Sequence, residues 1–459
     1  MQMQIETFDI VVFGGGKAGK TLAMDRARAG LRVAMIERGL IGGSCINVAC
    51  IPSKTLIRSA QIHTHSVEAG ELGALVNAVP DMKAVARRTA RVVAEMVATN
   101  QNGFDASGLE LVRGWGRFVD ARVIEVDTEA GKRRVTAPAI YLNLGTMADL
   151  PPIPGLVDAQ PMTHVEALEL DRLPEHLLVL GGGYIGLELG QAYRRLGAAV
   201  TIVEAGSQIA PREDPDVSAA LQAALDGEGI GFAIGADVVE VIGQSGDAVS
   251  LVLADGSLIS GSHLLVATGR RPMTSGIGLE LAGVELDPRG FVKTDARLRT
   301  SASGIWAMGE IAGTPMFTHA SLDDYRVVKS AMSGGDYRTT GRIIPYCVFT
   351  DPELGRIGLN EKEARSLGID YRLAVLPMDV IPRARTLGER KGMMKALIGA
   401  DDSILGFTML GAQAGEVMTA VQMAMLGSLP YTAVRDAIIA HPTLAEGLGM
   451  LLAGVPPRT

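Results

Sequence analysis

The sequence predicts an α/β protein with two Rossmann-like dinucleotide-binding domains and a C-terminal α+β domain. Three observations carry that expectation. A strand, a glycine-rich turn, a helix and a second strand follow one another twice, at residues 8–37 and 177–204. A glycine- and proline-flanked segment with two cysteines, GGSCINVACIPSK at 42–54, comes directly after the first copy. Beyond GRIIP (341–345) the chain reads as strands followed by amphipathic helices, such as EVMTAVQMAML at 416–426.

The first copy, FDIVVFGGGKAGKTLAMDRARAGLRVAMIE, places Gly14, Gly16 and Gly19 in G-x-G-x-x-G spacing after an apolar strand and ends on Glu37. The second, LLVLGGGYIGLELGQAYRRLGAAVTIVE, has Gly181, Gly183 and Gly186 and ends on Glu204. In both, the acid stands 23 positions after the first glycine. A lone G-x-G-x-x-G says little, whereas the strand before, the helix after and the acid at that distance make each copy specific. The glycines allow a tight turn and a close approach of backbone to pyrophosphate, and the acid accepts a ribose hydroxyl. Two such units imply two dinucleotides. At the second, Glu204 favours a free 2′-hydroxyl, and no arginine follows until Arg212, so NADH is expected over NADPH.

Between and after these units the elements can be read in order. Cys45 and Cys50 are two of only three cysteines, too few for a disulfide framework and without the second CxxC of a structural zinc site. The pair reads as redox-active, the alternative being two unrelated buried thiols. On an ideal helix, positions i and i+5 lie about 8–9 Å apart, beyond the ~7 Å that a bridge tolerates, so Cys45 must sit in a turn or a distorted first helical turn. A thiol near a helix N-terminus has a depressed pKa, so one of the two is expected to be a nucleophile once reduced. A helix is expected over about 81–101, with Arg87, Arg88 and Arg91 on a solvated face. Short strands follow around LELVRGWGRFV and RRVTAPAIYLNLG, and LPPIPGL at 150–156 reads as a linker into a second domain that closes at LLVATGRRPMT, 264–274. Cys347, in YCVFT, is expected to be an inert buried thiol.

GGSCINVACIPSK, supported by GGGYIGLE, ATGRRP, GIWAMGE and HPTLAE, resembles the flavoprotein disulfide reductases, the class I pyridine nucleotide-disulfide oxidoreductases, along essentially the whole chain. The resemblance implies FAD in the first dinucleotide site. It divides the chain into an FAD domain at 1–150 completed by 275–340, an NAD(P) domain at 151–274 and a dimerisation domain at 341–459. Gly14, Gly16, Gly19, Glu37, Gly145, Gly309 and Glu310 would hold FAD; Gly181, Gly183, Tyr184, Gly186, Glu204 and Gly269 would hold NAD. Cys50 would face the flavin and Cys45 the substrate, Lys54 and Glu188 would pair near flavin and nicotinamide, and Tyr184 would swing aside for the nicotinamide. His441, held by Glu446, would reach the partner subunit's disulfide, making a homodimer the active unit. A competing reading takes Thr443–Glu446 as a capping box that only closes a helix.

The sequence departs from that pattern in places. Glu310 stands where an aspartate is usual, Asn143-Leu144-Gly145 replaces an ATG-like segment, and FTHASLDDYR (317–326) replaces the lipoamide dehydrogenase signature. No extra cysteine pair lies at either end, which weighs against mercuric reductase proper. GGGKAGKTLA, SLDDYR, IPRAR (381–385) and LPYTAVRDAIIAHP resemble the RclA-like flavoproteins, which implies a small oxidant such as hypothiocyanous acid as substrate. The alternatives are a Cu(II) or Hg(II) reductase and a dihydrolipoamide dehydrogenase or glutathione-reductase-like enzyme. No metal cofactor is expected.

Composition agrees with this class. The 459 residues are 47% hydrophobic and 20% charged, with a net charge of −8 and no basic block, so neither nucleic acid nor an anionic membrane surface is an expected partner. MQMQIET leaves no room for a charged n-region and an apolar h-region, and no apolar run reaches the ~20 residues of a membrane span. The cytoplasm is the expected location.

Overall fold

The computed structural model describes residues 4–73 and 79–458. The chain forms two units. One comprises the residues up to Leu56 with Lys83–Asp149 and Gly269–Arg342; the other comprises Ile57–Met82, Leu150–Thr268 and the residues from Ile343 onward.

In the first unit a five-stranded parallel sheet runs in the order Ile305–Ala307, Ala139–Leu142, Ile10–Phe13, Val33–Glu37 and Glu110–Arg113. IVVF and VAMIE are buried at every position, as strands covered on both faces must be. Helix Lys17–Arg28 covers one face and, with Phe104, Tyr141, Val327 and Val328, closes one apolar core. A four-stranded sheet containing Trp115–Asp120, Val123–Thr128 and Gly131–Thr136 contributes Phe118, Ile124 and Val135 to the core on the other face. The helix expected over 81–101 extends over Met82–Ser107. Its arginine face is not wholly solvated: Arg88 NH1 donates to the Thr55 carbonyl at 2.8 Å, which ties this helix to the cysteine-bearing one.

In the second unit a four-stranded parallel sheet, Gly231–Ile234, Ala199–Glu204, His176–Leu180 and His263–Val266, repeats the first arrangement on a smaller scale. A five-stranded antiparallel sheet runs Tyr346–Val348, Leu354–Gly358, Ile404–Leu410, Met393–Ile398 and Arg372–Pro377. Helices Ala414–Leu426 and Gly447–Ala453 pack against it around Phe407, Met409 and Leu448. Lys395, 1% exposed, pairs with Asp214, Asp216 and Glu361 at 3.1, 2.8 and 2.8 Å, so its buried charge is neutralised within the unit. Among the described residues no helix is long and apolar enough to cross a membrane.

Candidate redox site

The two glycine turns adopt the same conformation for the same steric reason. Gly14 and Gly181 have φ of +102° and +111°, and a Cβ on them would lie 2.4 Å from the Asn143 carbonyl oxygen and 2.6 Å from the Ala267 carbonyl oxygen. Only glycine meets both demands. The acids are used identically too: Glu37 Oε2 accepts from Gly15 N–H at 2.9 Å and Glu204 Oε2 from Gly182 N–H at 2.7 Å. Glu37 Oε1 also accepts from Gly39 and Leu40 N–H, and Glu204 Oε1 from Gly206 N–H. Each carboxylate is therefore fixed beside its turn, where a ribose would lie. No added Cβ at Gly183 would meet an atom within 4 Å, leaving that backbone open to a ligand.

A cavity of about 370 Å³ runs from Glu37 past Gly14, Gly16 and Gly145 to Gly43 and Ser44, beside Cys45. A lining that combines the Glu37 carboxylate with the Gly14 and Gly16 turn fits a dinucleotide, whose ribose and pyrophosphate those groups would hold. Asn143, in the segment that departs from the usual pattern, closes the slot's floor. Its Oδ1 accepts from Gly19 N–H at 2.9 Å and its Nδ2 donates to the Met308 carbonyl at 2.6 Å, both buried. Next to Met308, Gly309 N–H donates to Asp324 Oδ2 at 2.6 Å, and Asp324, fully buried, pairs with Arg342 at 2.7 Å. Glu310 accepts from Thr146 Oγ1 and lies 3.5 Å from Arg270. Its carboxylate thus reaches the start of the strand Thr146–Ala148. Neither Asn143 nor Asp324 stood out as functional in the sequence; the departure from the ATG-like segment and the acid in SLDDYR were the available signals. Gly269, one residue before Arg270, accepts from Asp149 N–H through its carbonyl at 3.1 Å.

Cys45 lies in a four-residue helical turn, Ser44–Asn47, and Cys50 opens the long helix Cys50–Glu68 after a break at Val48 and Ala49. The interruption takes the two cysteines off one regular helix, and each thiol shifts the acidity of the other. Their environments separate their acidities. Cys50 is lowered to about 6, chiefly by the hydrogen bond from Cys45, with help from Thr318 and the Lys54 ammonium against the cost of burial. Cys45 is raised far above an ordinary thiol because it donates to Cys50 and is itself desolvated. Thr318, first residue of helix Thr318–Met332, lies 3.5 Å from Cys50 Sγ through its Oγ1 and interacts with Cys45 as well. It was missed from the sequence, although it sits in the distinctive FTHASLDDYR stretch.

In the second unit, His441 Nδ1 and Glu446 Oε2 are 2.8 Å apart. The capping-box reading fails at its second half. Thr443 Oγ1 accepts from Glu446 N–H at 3.3 Å, but the Glu446 carboxylate turns to the histidine instead of the Thr443 backbone, and the helix begins only at Gly447. The imidazole is 69% exposed on a carboxylate that is 14% exposed. An Nδ1–H donated to Glu446 leaves Nε2 free to accept a proton from outside. Glu188, buried on helix Tyr184–Arg195, accepts from Phe349 N–H at 2.9 Å. Tyr184 opens that helix, stacks on Tyr346 with ring centroids 5.6 Å apart, and donates to Glu213, which also accepts from Tyr346 at 2.5 Å. Cys347 is half-buried rather than buried and donates to Glu353 Oε1 at 2.9 Å.

Comparison with known proteins accords with this geometry. Residues 8–324 match the family described as pyridine nucleotide-disulphide oxidoreductase, and residues 344–451 match its dimerisation domain. The chain belongs to the pyridine nucleotide-disulphide oxidoreductases. It is therefore an FAD-dependent oxidoreductase that works with a pyridine nucleotide. The probable pyridine nucleotide-disulfide oxidoreductase RclA of Escherichia coli is 36% identical over 97% of this chain and 99% of its own. A dihydrolipoyl dehydrogenase of Thermus scotoductus is 35% identical over 97% and 96%, and a mercuric reductase of Bacillus cereus 32% identical over 96% and 70%. Among solved structures, a Cu(II) complex of the HOCl-induced flavoprotein disulfide reductase RclA from Escherichia coli superposes with a TM-score of 0.90 at 34% identity, covering 98% of this chain and 99% of that one. The enzyme is a flavoprotein disulfide reductase of the RclA type.

Proposed function

We propose that this oxidoreductase carries electrons from NADH to the Cys45–Cys50 pair and on to a small oxidant with an electrophilic sulfur, hypothiocyanous acid being the best candidate. The observation that carries the reading is the thiol pair itself, a Cys50 held low at a helix N-terminus beside a Cys45 held high. FAD, held by Gly14, Gly16, Gly19, Glu37, Gly145, Gly309 and Glu310, supplies the two-electron relay between nicotinamide and sulfur. Lys54 and Glu188 act as a pair near that relay, and Tyr184 with Gly181, Gly183, Gly186, Glu204 and Gly269 serves the nicotinamide nucleotide. The segments 1–150 and 275–340 bind FAD, 151–274 binds the pyridine nucleotide, and 341–459 forms a homodimer interface.

In the oxidant half-reaction His441 of the partner subunit takes the Cys45 proton. The Cys45 thiolate attacks the sulfur of hypothiocyanous acid, and the S–O bond breaks as the departing hydroxide takes up that proton as water. The Cys50 thiolate then attacks Cys45, closing the disulfide and releasing thiocyanate. Two thiols are oxidised and one oxidant is reduced by two electrons. A second reading, reduction of Cu(II) or Hg(II) at the same soft thiol pair, draws on the Cu(II) complex formed by the RclA relative and on the mercuric reductase relatives.

The test is anaerobic reduction by NADH followed by hypothiocyanous acid, glutathione disulfide, lipoamide, Cu(II) and Hg(II) in turn. Hypothiocyanous acid is expected to reoxidise the enzyme fastest; a metal ion in that place would establish the second reading, and lipoamide would refute both. The Glu204 carboxylate should also repel a 2′-phosphate, giving a kcat/KM for NADH about tenfold or more above that for NADPH. Glu204→Ala should narrow that gap, and equal values for the two cofactors in the unaltered enzyme would refute the preference.

A further inference from the structure

Lys20 lies on the inward side of helix Lys17–Arg28 and is only 5% exposed, a place where lysine is seldom found unless paired. Its Nζ donates to the Gly42 carbonyl at 3.1 Å and to Asn100 Oδ1 at 2.6 Å. Both acceptors are neutral. Burial pushes the ammonium down to about 8, Lys17 adds repulsion, and Cys45 is the anion-forming group that acts in its favour. The influence is mutual, since Lys20 eases Cys45 toward its thiolate, as Thr318 does, while Cys50 and burial oppose it.

A buried ammonium with neutral partners is a net cost to the folded protein unless some state places negative charge beside it. Gly42 and Gly43, both at positive φ, form the approach to Ser44 and Cys45, so the lysine grips the strand of backbone that delivers the attacking sulfur. Lys20 lies just after the three glycines of the G-x-G-x-x-G turn, and the dinucleotide role of those glycines gives it no part. We propose that Lys20 is a positioning residue for Cys45: buried on the Gly42 carbonyl, three residues before the thiol, its ammonium favours the Cys45 thiolate on which the outward half-reaction depends. The proposal rests on Cys45 being the attacking thiol.

The test uses the purified flavoprotein, reduced with dithiothreitol, desalted anaerobically and treated with iodoacetamide across a pH series. Alkylation of Cys45 and Cys50 is resolved by fragmentation of their common peptide. Lys20→Met should slow Cys45 alkylation about tenfold near pH 7.5, through an upward shift of its midpoint by about one unit, while changing Cys50 by less than about twofold. Asn100→Ala, which removes the anchor and keeps the charge, and Lys20→Arg, which keeps the charge, should each stay within about threefold of the unaltered enzyme at Cys45. An unchanged Cys45 rate in Lys20→Met overturns the proposal. So does an Asn100→Ala rate as low as that of Lys20→Met, which would reduce the lysine to a tether. Should Lys20→Met lose its flavin, the other two variants decide, and a tenfold loss in Lys20→Arg counts against the charge. A Cys45→Ser enzyme with full turnover would instead remove the reading beneath the proposal.

Discussion

Serine in place of Cys50 should lower turnover with any sulfur oxidant by at least about 10³-fold while leaving the bound flavin in place. The reason is the division of acidity within the pair. Cys50, lowered to about 6, is the thiol present as thiolate at neutral pH, and the proposed cycle closes by its attack on Cys45; a serine hydroxyl does not ionise in that range. Cys45→Ser should be equally inactive, since it removes the sulfur that the proposed mechanism sets to attack the oxidant. The same acidity sets a pH dependence. Because the Cys50 pKa is lowered, its thiolate persists well below the range of an ordinary thiol and is lost as pH falls through about 6. On the acid side of that value kcat should drop by about tenfold per pH unit. A kcat independent of pH from 5 to 8, or a Cys50→Ser enzyme with more than a few per cent of normal turnover, would be incompatible with this role.

His441→Ala is expected to cost about 10²- to 10⁴-fold in kcat, the usual worth of a positioned proton-transfer group. Cys45 is the reason the loss should be large: donating to Cys50 and desolvated, it gives up its proton reluctantly. Glu446→Gln should cost less, on the order of tenfold to a hundredfold, since the ring survives and only its tautomer and orientation are loosened. In neither variant should NADH bleach the flavin more slowly, because the mechanism proposed above gives the histidine a part only in the outward half-reaction. Co-expression tests the dimer directly. A Cys45→Ser subunit joined to a His441→Ala subunit retains one intact site if the histidine acts across the interface, and none if it acts within its own chain. A heterodimer without activity would sink the cross-subunit arrangement.

Much of the site was legible because its determinants are local. The glycines of both turns, the acid ending each second strand and the broken helix around the cysteines follow from sterics and spacing within about 30 residues. Asn143 was not legible: it joins Gly19 to Met308 across 124 and 165 positions, and no periodicity encodes such a meeting. Arg88 looked like one of three solvated arginines until packing brought Thr55 to it. The Glu446 carboxylate had two local destinations of similar quality, and the choice of His441 over the Thr443 backbone was decided by the folded chain.

What the sequence determined alone was therefore the class of the protein: two dinucleotide turns, a thiol pair unable to share one regular helix, and a histidine with an acid five residues on. Tertiary structure decided the charge states and partners. It made Cys50 the acidic thiol and Cys45 the reluctant one, set Thr318 against both, and buried Lys20 behind the turn that leads to them. Backbone conformation depends on near neighbours, whereas a side chain's acidity depends on how much water is removed and which distant dipoles replace it.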